Sequence, residues 1–117
     1  MVLADTSVWT EHLRHGDDRL RTELEAGRVA THPFILGELA CGNFRKRTEI
    51  LQLLNELPAV IQASNSEVLE FIEQRRLMGR GIGLIDAHLL ASVVLTGATR
   101  LWTHDRRLAT IASELGV

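Results

Sequence analysis

Apolar residues fall along this chain in two rhythms, short continuous runs and longer stretches with helical spacing, and their alternation predicts its elements. Val2-Leu3-Ala4 is a continuous run that ends abruptly at Asp5, the pattern of a buried parallel strand. Ser7 to His15 reads as a short helix capped by Thr6 or Ser7, with Val8, Trp9, His12 and Leu13 as its inner face. Gly16 stops it. Asp17 and Asp18 open a second helix to Glu25, with Leu20 and Leu24 inward and Gly27 as its stop. Arg28-Val29-Ala30-Thr31 predicts a brief second strand. Pro33 suits the first turn of a third helix, which carries Ile35, Leu36, Glu38 and Leu39 to Gly42.

A fourth helix, Arg45 to Leu57, holds Ile50, Leu51, Leu53, Leu54 and Leu57 in a wide apolar stripe and ends at Pro58. Ala59 to Ala63 predicts a third short strand. Ser64 or Ser66 caps the next helix, Glu67 to Met78, with Val68, Leu69, Ile72 and Leu77 on its apolar side. The glycines at 79, 81 and 83 make a flexible connection. Leu84 to Leu95 is apolar nearly all round apart from Asp86, His88 and Ser92, which predicts a central helix. Gly97 ends it, Arg100 to Thr103 forms another strand, and Asp105 or His104 begins a last helix buried through Leu108, Ile111, Ala112 and Leu115. Strand and helix alternating at these spacings predict an α/β fold, an open parallel sheet flanked by helices on both faces.

Composition narrows the class. The 117 residues make one domain, large enough to bury roughly two thirds of the unfolded surface, and no internal repeat or linker divides it. Cys41, the single cysteine, has no partner for an internal disulfide, which fits a reducing cytoplasm. The first residues lack a basic leader and an apolar core, and the longest apolar stretch is too short for a bilayer, so a soluble protein without membrane attachment is expected. A net charge of −2 argues against coating duplex DNA through an overall field. Local patches remain: Arg45-Lys46-Arg47, Arg75-Arg76 with Arg80, and Arg106-Arg107. Lys46 is the only lysine among the 13 basic residues, and arginine suits planar phosphate contacts, although solvated helix faces are the commoner explanation of each group taken singly.

Four acids stand out by position. Ligands of open α/β sheets bind outside the carboxyl ends of the strands, where Asp5 and Asp105 fall; Asp86 opens a helix and Glu38 lies among Leu36, Leu39 and flanking glycines. Each aspartate alone reads as a helix cap, and Glu38 alone as a helix surface residue. His88, two residues from Asp86, faces elsewhere on its helix and reads as a core or supporting histidine. Cys41 reads as a small packed residue, Trp9 and Trp102 as core or interface aromatics.

Asp5-Thr6-Ser7-Val8-Trp9, Gly37-Glu38-Leu39-Ala40-Cys41-Gly42, Gly81 to Ser92 and Leu101-Trp102-Thr103-His104-Asp105-Arg106-Arg107-Leu108 together resemble the PIN-domain ribonuclease toxins of VapC type, over essentially the whole chain. The resemblance implies a magnesium-dependent endoribonuclease held inactive by a cognate VapB-type antitoxin. It implies catalytic acids at Asp5, Glu38, Asp86 and Asp105, with a supporting hydroxyl at Thr103.

Phosphodiester chemistry agrees with that set. Hydrolysis needs a nucleophilic hydroxide and a partner for the leaving oxygen, and Mg²⁺, which takes hard oxygen ligands and keeps several waters, supplies both. Four carboxylates in one pocket repel unless a cation joins them. Asp5 and Asp86 are the expected direct ligands and Asp105 a third or water-mediated one; Glu38 would position or deprotonate water, and Thr6 and Thr103 would orient carboxylates or phosphate oxygens. Mn²⁺ should substitute. An antitoxin segment would lie in an apolar groove near Trp9, Leu13 and the second and third helices, and the apolar helices between Ala59 and Leu77 suggest a homodimer. The alternatives are a non-catalytic interaction module of the same fold, or a receiver-like phosphoacceptor domain, for which Lys46 lies in the wrong segment.

Overall fold

A computed structural model describes residues 1–117. Three short parallel strands, β1 (Val2–Ala4), β2 (Val29–Ala30) and β3 (Arg100–Trp102), form one sheet in the order β2-β1-β3. Val2 pairs with Val29 and with Arg100, and Leu3 with Ala30 and with Leu101, so the strands end along one edge. Seven helices flank the sheet: α1 (Thr6–His15), α2 (Asp18–Glu25), α3 (Pro33–Ala40), α4 (Arg47–Asn55), α5 (Asn65–Arg75), α6 (Leu84–Thr96) and α7 (Arg106–Glu114). The α/β architecture read from the apolar rhythm is the one observed.

The core follows from that arrangement. Leu3, Ala4, Val8, Leu20, Val29, Ile35, Leu90, Leu101, Leu108 and Ile111 are buried in one cluster contributed by all three strands and six of the flanking elements' inner faces. Seven consecutive residues of α6, Ala87 to Val93, are buried, as its all-round apolarity requires. Trp9 is buried in the same cluster.

The third strand expected at Ala59–Ala63 does not form. A single bridge joins Thr31 to Ala59; beyond it, hydroxyls of α6 take the donors that a neighbouring strand would use. Ile61 N donates to Thr96 Oγ1 at 2.8 Å and Ala63 N to Ser92 Oγ at 3.1 Å. Ser92 also meets His32 Nε2 at 3.2 Å, and the other ring nitrogen, Nδ1, accepts from Phe34 N at 3.0 Å as the cap of α3. Because Nδ1 accepts, the neutral ring carries its proton on Nε2 and donates to Ser92. His88 is buried against Phe34, ring centroids 4.7 Å apart, as a core histidine.

Other boundaries shift for local reasons. Lys46 in the left-handed region (φ 57°) delays α4 to Arg47, and Arg76 (φ 54°) ends α5 before Met78. Ser64 is the cap of α5, in a reciprocal capping box with Glu67. Leu53 and Leu69, expected inward, are 63% and 61% exposed, since each stripe is wider than the surface its helix covers. Cys41 is exposed, not packed.

Candidate active site

The sheet edge explains where the acids meet. Asp5 follows β1 directly, Thr103 follows β3, and α6 returns to β3 through a short turn, which brings its first residues and Asp86 to the same edge. Asp5 is buried, 6% exposed, and caps α1: its Oδ1 accepts from Val8 N at 3.2 Å and from Ser7 Oγ at 2.5 Å. Its Oδ2 accepts no hydrogen bond from the protein. Asp105 caps α7 through Leu108 N at 3.0 Å and is exposed. Asp86, half-buried, accepts from Gly83 N at 3.4 Å. Glu38 is exposed on α3, contrary to the burial expected from its apolar neighbours, and accepts from Thr6 Oγ1 at 2.8 Å. Those neighbours face the core while Glu38 takes the opposite side of the helix.

Ser7 joins the two halves of the edge. Besides bonding Asp5 it accepts from His104 N at 3.0 Å and lies 3.5 Å from Thr103 Oγ1, which in turn accepts from Asp105 N at 3.0 Å. Ser7, expected with Thr6 as a candidate cap of α1, leaves that role to Asp5. A hydroxyl two residues beyond an acid at a strand end was the available signal.

Electrostatics ties the four acids together. Burial pushes the Asp86 carboxyl above its usual range and the Gly83 amide pulls it back; the charges of Asp105, Asp5 and Glu38 push it up further. No arginine, lysine or histidine pairs with any of the four, although ion pairs form elsewhere at Asp18–Arg21, Glu23–Arg28 and Glu114–Arg80. Mutually repelling carboxylates without a counter-ion suit a hard cation. No three acid, histidine or cysteine side chains stand close enough to share one ion directly, so the expected set of Asp5, Asp86 and Asp105 does not form a three-carboxylate cage in this arrangement.

Comparison with known proteins agrees with this geometry. Residues 2–114 match the PIN domain family. The chain is 46% identical over 117 residues to Ribonuclease VapC32 of Mycobacterium tuberculosis, in strains CDC 1551 / Oshkosh and H37Rv, covering 100% of this chain and 94% of the relative. The chain is a PIN-domain ribonuclease toxin of VapC type. In VapC terms, the motifs that carried the resemblance fall on the sheet edge at Asp5 and Asp105, on α3 at Glu38 and at the start of α6 at Asp86.

A second feature lies on another face. Trp9, His12 and Leu13 of α1, Leu24 of α2, and Ile50, Leu53, Leu54 and Leu57 of and after α4 line an apolar groove of about 500 Å³. It lies beside Trp9, Leu13 and the second helix as expected, but its remaining wall is α4 and not the third helix. No helix is long and apolar enough to cross a membrane.

Proposed function

We propose that this VapC-type toxin, acting as a single cytoplasmic unit over residues 1–117, cleaves RNA internally at a four-carboxylate, divalent-metal site. The reading rests above all on four unpaired acids, of which Asp105, Asp5 and Glu38 bring their charges to bear on the fourth, Asp86. Mg²⁺, or Mn²⁺ in its place, would be held by Asp5 and Asp86 directly and by Asp105 through water, and when bound it would supply an activated water and a partner for charge on the leaving oxygen. Glu38 orients or deprotonates the attacking water, and its bond to Thr6 fixes the direction of its carboxylate. Thr103 and Ser7 hold the Asp105 and Asp5 segments in register. A cognate VapB-type antitoxin lays an amphipathic segment into the groove between α1, α2 and α4. A second copy of the chain packs on the face where Ile61 and Leu69 are exposed.

Purified protein should cut RNA with Mg²⁺ or Mn²⁺ and stop with EDTA. Asp5→Asn and Asp86→Asn should each abolish cleavage while the protein stays folded, because Asn caps α1 about as well as Asp5, keeps at position 86 an oxygen for the Gly83 amide, and lacks the ligand charge. Cleavage retained by folded Asp86→Asn, or undiminished in chelator, would reject the mechanism.

A further inference from the structure

The loop that leads into α6 is fastened to α7. Arg80 forms a two-point pair with Glu114, Nη1–Oε2 2.6 Å and Nη2–Oε1 3.0 Å. Arg107 lies flat against Gly81, so closely that a Cβ placed on Gly81 would stand 2.7 Å from both Cδ and Nη1 of Arg107 and 3.1 Å from Cζ. Gly81 also has φ +84°, so a side chain there meets strain as well as the arginine.

Arg107 itself has no carboxylate partner. Arg80 has found one on the same helix, yet the Arg107 guanidinium makes no ion pair or side-chain hydrogen bond. Its place in the helix adds to the anomaly. It lies in the first turn of α7, beside Arg106, with no acid there. Cations at a helix N-terminus oppose the aligned backbone dipoles, so stability alone favours acids at these positions. Arg107 is two residues from Asp105, and the glycine it covers is two residues before Gly83, whose N–H meets Asp86.

We propose that Arg107 is a substrate contact of the ribonuclease: a guanidinium at the rim of the acid cluster that grips a phosphate of the RNA flanking the cleaved bond. The inference rests on the nuclease reading above and adds to it the group that draws a polyanion towards an acidic pocket. Gly81 serves by lacking a side chain, which lets the arginine lie on the loop that leads into α6 and Asp86. A planar fork binds a phosphate through two parallel bonds, which an ammonium cannot reproduce.

The test compares wild type, Arg107→Ala, Arg107→Gln and Arg107→Lys on extracted total cellular RNA with Mg²⁺, between about 50 and 200 mM salt. Arg107→Ala should raise KM about tenfold with a smaller change in kcat, since a charge-assisted contact is lost. The slope of log KM against log salt should fall by about 0.7, the value for one phosphate on a single strand. Arg107→Gln, which keeps a stem over Gly81, should behave as Arg107→Ala, and Arg107→Lys should recover the salt slope but not the full affinity. The melting temperature of Arg107→Ala should equal or exceed that of wild type. Wild-type KM and salt slope in Arg107→Ala and Arg107→Gln would overturn the proposal and leave the nuclease intact. Wild-type protein that leaves the RNA whole would overturn the nuclease reading itself.

Discussion

His32 is fully buried, caps α3 through one ring nitrogen and donates to Ser92 through the other, a geometry that requires a neutral ring. Burial, helped by neighbouring His88, pushes its pKa down from 6.5 to about 4. Between those values the unfolded chain binds a proton that the folded chain refuses. Stability from this group is therefore complete above 6.5 and falls as pH drops towards about 4, by at most about 3 kcal/mol. Denaturant midpoints of wild type and His32→Asn across this window should diverge, with the flatter dependence in the variant because Asn still caps the helix. Equal slopes would show that the ring is not the titrating group. This histidine was legible in the sequence only as the residue before Pro33; nothing local announced Ser92, sixty positions away, as its partner.

Helices were more legible than strands. A helix closes its bonds within itself, so capping residues such as Asp17 and Ser64 and apolar spacing locate it, whereas a strand exists only if a neighbour accepts it. Ala59–Ala63 has the composition of a strand, but Ser92 and Thr96 compete for its amides. The acids Asp5, Asp86 and Asp105 were legible because strand ends and helix starts share an edge. Glu38's exposure, Ser7's bridging role and Arg107's seat on Gly81 were not, since each depends on distant segments. Exposure also gives α4 a use. Leu53 is 63% exposed beside the apolar groove, so Leu53→Glu should change stability by no more than about 0.5 kcal/mol. If a VapB-type antitoxin occupies the groove as proposed, the variant co-expressed with it should escape inhibition and remain toxic; growth protected as in wild type would place the antitoxin elsewhere.

The molecule as a whole carries its carboxylates at a cost in the absence of cations. Asp86, with its folded pKa raised, stabilises the fold only while protonated, below its unfolded value, and that contribution is lost as pH rises through the folded value. At neutral pH without divalent ions, Asp86→Asn should therefore melt above wild type. Adding Mg²⁺ or Mn²⁺ should raise the wild-type melting point, by roughly 2.7 kcal/mol of stability at about 100 times Kd, and should leave Asp86→Asn nearly unmoved. Equal responses in both proteins would separate the ion from the acids.

The bond network around Ser7 has a consequence for how the protein is born. Of the elements described, β1 leaves the ribosome well before β3 and α7. Ser7 touches Asp5 on one side and His104 and Thr103 on the other, contacts that join positions nearly a full chain apart. A nascent chain that has not reached β3 holds Asp5, Glu38 and Asp86 but neither Thr103 nor Asp105, and has nothing for Ser7 to join on its far side. The edge where the four acids meet thus stays unassembled until a late part of the chain has been made.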